Sequence, residues 1–155
     1  MNEIAFCTMN SPIGPLAIRT RGEAITALDW VTTETSPATT PLQEKSLRQL
    51  AAYFAGDLQA FDLPLAPDGT PHQKKVWAEM SKIPFGDLRT YGDLAKSIGS
   101  GAQAVGTACG KNPIPIIVPC HRIIAAGGGI GCYSGRGGVA TKQFLLALEG
   151  AEPGQ

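Results

Sequence analysis

Long apolar runs are missing from this 155-residue sequence. No stretch approaches the roughly 18 consecutive apolar residues that a membrane-spanning helix needs. The N-terminus also lacks the basic segment followed by an apolar one that is typical of a secretory signal. We therefore expect a cytoplasmic protein with no membrane partner. Charged residues are few, at 17%, whereas apolar residues make up 43%, which excludes an intrinsically disordered chain and suffices for a buried core.

A net charge of either sign is absent too, since 13 basic residues balance 13 acidic ones. The balance differs between the two halves, however. Residues 1–71 hold four basic and eight acidic residues, a net charge of −4, and residues 72–155 hold nine basic and five acidic residues, a net charge of +4. Such asymmetry is typical of a basic lobe that faces a polyanion, and chance scatter of surface charge is the alternative.

Close cysteine pairs are also missing. The four cysteines stand at positions 7, 109, 120 and 132, with no CxxC spacing, so a structural zinc site is not indicated. A disulfide framework is not expected in a cytoplasmic protein of this size. Each cysteine is therefore either a buried apolar thiol or a reactive thiolate.

The first part of the chain has the pattern of a small antiparallel sheet followed by a helix. Short apolar stretches at 4–7 and 16–31 are separated by segments rich in glycine and proline, which predicts strands joined by turns. Residues 42–55 then carry apolar side chains at helical spacing, and Gly56 ends the pattern.

Residues 57–71 contain three prolines and no regular period, which indicates a linker. We therefore expect an α/β (α+β) protein of two lobes. Residues 1–69 would form the N-terminal α/β lobe, and residues 70–155 a mainly helical C-terminal lobe.

The second lobe has the signals of a helix-turn-helix. Thr70 is the candidate N-cap of its first helix, and Thr90 of a helix over residues 91–98. Glycines at 99 and 101 predict a tight turn, and residues 102–109 predict another helix of small residues.

That last helix contains no Arg or Lys, which a helix that reads base edges in the major groove normally needs. Many helical hairpins bind nothing, so this pattern alone leaves DNA binding open. A small, smooth helix is nevertheless able to lie closely against a groove.

The residues with the clearest chemical meaning are Cys120, His121 and Arg122, which end an apolar run that prolines interrupt. Burial in an apolar run raises the pKa of a thiol. A neighbouring histidine can take the proton, directly or through a water, and a carboxylate would orient that histidine. The alternative is a buried, inert thiol beside a histidine that serves packing. His72 is the only other histidine, so the choice of base is narrow.

Residues 114–124, Ile-Pro-Ile-Ile-Val-Pro-Cys-His-Arg-Ile-Ile, resemble the active-site signature of the O6-alkylguanine-DNA alkyltransferases, the methylated-DNA–protein-cysteine methyltransferases. The similarity is close over residues 70–151 and loose before them. It implies a monomer that binds double-stranded DNA, flips the damaged nucleotide and transfers an alkyl group from guanine O6 to its own cysteine, once per molecule. No metal or organic cofactor is implied.

The resemblance also implies a role for each matching residue. Cys120 would accept the alkyl group, His121 would act as a base through a water, and Glu149 would orient His121. Asn112 would brace the active-site turn. Tyr91 would donate toward guanine N3 and help to rotate the nucleotide.

The amide of Ser134 would reach O6, and the carbonyls of Cys120 and Ile123 would accept from the exocyclic amine of guanine. Cys109 and Cys132 would be packing residues near the pocket. The substrate-binding set that the resemblance implies is Cys109, Ile123, Gly131, Tyr133, Ser134 and Gly135. The DNA-binding set, around a helix in the minor groove, is Thr90, Ala102, Gln103, Ala104, Gly106 and Arg122.

Three features depart from the family pattern. Gln103 stands where the family has an arginine that fills the gap left by the flipped base. The turn at 99–101 is about two residues shorter than in many relatives, and the loop at 134–140 about two residues longer. These departures keep open a lesion binder that transfers nothing. A cysteine hydrolase built on Cys120, His121 and Glu149 is a further alternative.

Overall fold

The computed structural model describes residues 4–32, 35–131 and 133–153. The chain divides into two compact units, with the boundary between Asp68 and Gly69. No helix in the described ranges is long and apolar enough to span a bilayer. The α+β fold class is confirmed: a three-stranded sheet and a helix come first, and a mainly helical unit follows.

The first unit is an antiparallel meander with one helix. Strands β1 (Ile4–Met9), β2 (Leu16–Arg21) and β3 (Ala24–Trp30) pair in that order. Helix α1 (Pro41–Phe54) packs against β1 and β2. The hydroxyl of Thr40 caps this helix by accepting from the Gln43 amide, at 3.1 Å.

The segment predicted as a linker is part of the first unit as far as Asp68. Leu65 pairs in parallel with Ile25 of β3. The Ile25 amide donates to Pro64 O, and the Ala66 amide donates to Ile25 O, both at 2.8 Å. Main-chain hydrogen bonds, which do not require a regular sequence pattern, thus attach this part of the predicted linker to the sheet.

Over its described residues, the second unit has four α-helices and a short parallel strand pair. Their bounds are α2 (Pro71–Met80), β4 (Arg89–Thr90), α3 (Tyr91–Ile98), α4 (Ala102–Gly110), β5 (Ile123–Ile124) and α5 (Val139–Leu148). Thr70 and Thr90 each form a capping box with the residue three positions later. These two helix starts were predicted. Helix α5 and the β4–β5 pair were not.

Helices α3 and α4 form the predicted helix-turn-helix. Gly99 ends α3 in the left-handed conformation, with φ 67°, which glycine adopts without steric penalty. Helix α2 packs against both helices. Its Trp77 is buried and donates from Nε1 to Ala108 O of α4, at 2.9 Å, so a side-chain hydrogen bond fixes α4 to the core.

The packing around Trp77 allows no side chain at Gly69. A Cβ there would lie 2.5 Å from the Trp77 ring and 2.8 Å from Gln73 Oε1. We expect Gly69→Ala to lower the free energy of unfolding by about 1–3 kcal/mol, as overpacked sites do. Gly110→Ala is the matched control, since a Cβ there meets nothing within 4 Å. Urea denaturation of both variants tests this, and equal midpoints would contradict it.

Candidate active site

A braced turn presents Cys120. The Asn112 side chain accepts from the Ile114 amide at 3.0 Å and donates to Val118 O at 2.8 Å, so it spans the turn from both sides. Ile116, between them, is fully buried and has φ 76°. A β-branched residue is strained in that region, and burial of its side chain in the core holds it there.

Cys120 begins a 3-10 turn, Cys120–Arg122, and is 8% exposed. It lies at a cavity of about 690 Å³, which is large enough for a small organic ligand. The residues that line this cavity are Tyr91, Gly92, Ala102, Gln103, Gly106, Thr107, Cys109, Gly110, Cys120, Ala125, Ala126, Gly131 and Tyr133.

Burial raises the pKa of the Cys120 thiol, so its deprotonation needs help. A hydrogen bond from the Asn112 side chain and the positive charge of Lys142 both act in the opposite direction and lower that pKa. The site therefore combines an apolar cavity with polar groups that favour the thiolate.

The next residue, His121, is fully buried and forms a hydrogen bond with the carboxylate of Glu149. Its Nε2 lies 2.7 Å from Glu149 Oε2. Because a carboxylate only accepts, Nε2 carries the proton and Nδ1 is the basic nitrogen. Burial lowers the pKa of His121, although the Glu149 carboxylate raises it in part, so the ring is neutral near pH 7. Nδ1 is buried, and no described residue forms a hydrogen bond with it.

Arg122 does not face DNA, which corrects the prediction made for it. It is 6% exposed. Its Nε donates to Glu149 Oε1 at 2.8 Å and one terminal nitrogen to Oε2 at 3.1 Å. The other terminal nitrogen donates to Ile83 O at 2.6 Å. A guanidinium with these partners cannot reach a phosphate, and its function is to neutralise the buried Glu149 carboxylate.

The other predicted DNA-binding residues are at or near the mouth of the cavity. Ala102, Gln103 and Ala104 are exposed on the first turn of α4, and Gly106 is half-buried below them. Thr90 is half-buried, and its hydroxyl accepts from the Asp93 amide as the N-cap of α3.

The predicted substrate-binding residues divide into two groups. Cys109, Gly131 and Tyr133 line the cavity, whereas Ile123, Ser134 and Gly135 lie beyond its lining. Ile123 is buried, and its carbonyl accepts from Lys142 Nζ at 2.5 Å. Burial raises the pKa of Cys109 to about 12, so this second thiol stays protonated. Cys132 lies outside the described residues.

Lys142 is a buried charge close to the cavity that the sequence reasoning missed. It is fully buried on α5. The sequence does carry a signal for it, because residues 142, 145, 146 and 149 follow helical spacing. This spacing places the lysine on the same helix face as Leu145 and Leu146, and a lysine is rarely buried there without a specific role.

Two family models match the chain. Residues 4–67 match the 6-O-methylguanine DNA methyltransferase, ribonuclease-like domain, and residues 71–151 match the 6-O-methylguanine DNA methyltransferase, DNA binding domain.

Individual relatives agree with these matches. A methylated-DNA–protein-cysteine methyltransferase of Methanosarcina acetivorans is 42% identical, over 94% of this chain and 98% of its own. A constitutive methylated-DNA–protein-cysteine methyltransferase of Bacillus subtilis is 38% identical, over 93% and 94%. The crystal structure of Mycobacterium tuberculosis OGT in complex with DNA superposes with a TM-score of 0.83 at 44% identity, covering 95% of this chain and 94% of that one.

The buried Arg122–Glu149 pair yields a test. Arg122→Met should lower the free energy of unfolding by about 3–5 kcal/mol, because it leaves a buried carboxylate without its main counter-charge. Lys82→Met is the control: it breaks a pair with Glu79 in which the lysine side chain is 73% exposed, so it should change little. Urea denaturation measures both effects.

The same variant tests the correction on DNA contact. If Arg122 touches no phosphate, the slope of log affinity for DNA against log salt concentration stays unchanged in Arg122→Met. A slope that becomes shallower by about one would show a phosphate contact after all.

Proposed function

The chain belongs to the 6-O-methylguanine DNA methyltransferase family and is a methylated-DNA–protein-cysteine methyltransferase that acts in DNA repair, and we propose that Cys120 is the residue that accepts the methyl group. One observation carries this assignment. Cys120 lines the cavity, and the adjacent His121 forms a buried hydrogen bond with Glu149.

The first step is the activation of the thiol. Because burial raises the pKa of Cys120, its proton must have an acceptor nearby. The neutral His121 provides one at Nδ1, and a bridging water would carry the proton to it. Glu149 fixes the tautomer through Nε2 and stabilises the imidazolium that forms, as the carboxylate of a catalytic triad does.

The second step is the transfer itself. The Cys120 thiolate attacks the methyl carbon, the bond between that carbon and O6 breaks, and its electron pair stays on the guanine. The Tyr91 hydroxyl would donate to N3 and the Ser134 amide to O6, which stabilises the developing charge. The carbonyls of Cys120 and Ile123 would accept from the exocyclic amine and thereby select guanine. Water does not cleave the thioether product, so each molecule reacts once.

Access to the base must come before both of these steps. O6 is out of reach within a duplex, so the nucleotide must leave the stack. The exposed first turn of α4 borders the cavity and carries only small residues beside Gln103. This shape supports close approach of α4 to the minor groove. The residues that would then lie near the DNA backbone are Thr90, Ala102, Ala104 and Gly106. Gln103 would occupy the position in the base stack that the flipped nucleotide leaves.

The proposed acceptor, the residues that activate it and the residues proposed to contact DNA all belong to the second lobe. We therefore assign DNA binding and methyl acceptance to residues 70–155. Because a single copy supplies the whole set, we propose a monomer on DNA. Free thiols at Cys7, Cys109 and Cys120 support a reducing compartment, the cytoplasm.

The assignment of Cys120 is tested by mass. Wild-type protein incubated with duplex DNA that contains O6-methylguanine should gain one methyl group, and Cys120→Ser should gain none while it still binds the DNA. Cys109→Ser is the matched control, since burial raises the pKa of this second thiol in the same cavity to about 12, and it should still gain one methyl group.

Other outcomes of this experiment identify other functions. Methylation of Cys120→Ser would assign the acceptor elsewhere. DNA binding by wild type without any gain in mass would identify a lesion binder, and repeated turnover without a gain would identify a hydrolase.

The glutamine at position 103 yields a second test. Extruding a base costs a few kcal/mol, and a longer, charged side chain would fill the vacated stack better than Gln103 does. We therefore expect Gln103→Arg to speed transfer from duplex DNA and to leave the reaction with free O6-alkylguanine base unchanged. The salt dependence of DNA binding should steepen by about one if the arginine contacts a phosphate. Equal effects on duplex and free base would refute a role in extrusion.

A further inference from the structure

Lys142 occupies an unusual place for a lysine. It lies on α5 with no exposed surface, on the face that also buries Leu145 and Leu146. Burying an ammonium is unfavourable unless polar or charged groups compensate it. One such group is the Ile123 carbonyl, which accepts from Nζ at 2.5 Å.

The ammonium also lies next to the cavity. Gly131 lines that cavity together with Cys120. The position that a Cβ on Gly131 would take is 3.5 Å from Lys142 Nζ and 3.6 Å from the Tyr91 hydroxyl. The ammonium therefore lies just outside the lining at Gly131, close to the point where Tyr91, the proposed donor to guanine N3, lines the pocket.

The charges around the site leave an excess of positive charge. Glu149 is the one buried carboxylate among the described residues, and Arg122 binds it through two nitrogens. Burial keeps His121 neutral, and the positive charge of Lys142 contributes to the low pKa of that ring. The same charge lowers the pKa of Cys120 against the effect of burial. The titratable groups that surround the site are Tyr91 on α3, Cys109 on α4, His121 and Arg122 on the 3-10 turn, Tyr133 in the following loop, and Glu149 at the end of α5.

We propose that Lys142 is a positioning residue for methyl transfer, whose buried ammonium orients the Ile123 carbonyl toward guanine and stabilises the negative charge that passes from the Cys120 sulfur to the purine. This inference rests on the proposed role of Cys120 as acceptor.

The Lys142 ammonium would act both before and during methyl transfer, because negative charge is present near it at each stage. Before transfer the negative charge is on the thiolate, and the proton is held on His121. As the S–C bond forms and the C–O6 bond breaks, the electron pair moves onto the guanine ring, next to Tyr91. The proton then returns from His121 to the guanine through water, which leaves a neutral thioether and neutral guanine. A fixed positive charge near both ends of this path lowers the free energy of the states in which the sulfur or the purine carries negative charge.

The test is the pH dependence of transfer from free O6-alkylguanine base, which requires no DNA contact. Lys142→Met should raise the pKa of Cys120, so the rate at pH 7 should fall about 10- to 100-fold, and the loss should shrink as the pH rises. Lys142→Arg keeps the charge and should restore part of the rate at pH 7. Lys96→Met, which removes an exposed lysine of α3, is the control and should match wild type.

A purely structural role predicts a different result. In that case Lys142→Met would lower the melting temperature and reduce the rate by the same factor at every pH, and Lys142→Arg would restore none of the rate at pH 7, which would overturn the proposal.

A measurement on the wild-type protein covers the case in which Lys142→Met does not fold. Methylation of Cys120 removes the thiolate, so the Lys142 ammonium should afterwards lose its proton at a lower pH, as seen by NMR of protein labelled at lysine nitrogen. An unchanged titration refutes the proposal. Peptide mapping of the same methylated sample separates the two hypotheses: a methyl group on another residue refutes the role of Cys120, whereas a methyl group on Cys120 with an unchanged titration refutes only the role of Lys142.

Discussion

The site depends on one buried carboxylate. Glu149, at the end of α5, holds His121 through Nε2 and Arg122 through two nitrogens, and Arg122 in turn donates to Ile83 O. The buried Glu149–Arg122 ion pair thus ties three separate segments of the second unit together. A buried charge is tolerated only with good geometry and full pairing, so the same interactions that orient the base also fix the turn that carries Cys120.

A pocket for a purine and a pocket for a thiolate have opposite requirements. Apolar walls suit the base, and they also raise the pKa of Cys120. The structure meets both needs by placing polar groups behind the wall rather than in the opening: Asn112 on the turn, His121 beside it, and Lys142 on α5. Their contributions act over a short range in a low-dielectric interior, where fixed charges and hydrogen bonds are stronger than in water.

The sequence predicted local features better than contacts between distant segments. The caps at Thr70 and Thr90 depend on residues three positions apart, and both starts were correct. The direction of the Arg122 side chain depends on Glu149, 27 residues away, and the DNA contact that the resemblance implied for Arg122 took no account of this pairing. The attachment of Leu65 to β3 is likewise a contact across 40 residues, which no periodic pattern reveals. Lys142 was overlooked because a lysine is normally solvated, although its position on an apolar helix face was visible.

The left-handed conformation of Ile116 has a consequence for the order of assembly. An isolated peptide that contains this turn has no buried core to hold a β-branched residue at φ 76°, so it relaxes to ordinary backbone angles. The backbone geometry that presents Cys120 is therefore not encoded in the local signature alone. It exists only where the surrounding unit has folded around Ile116.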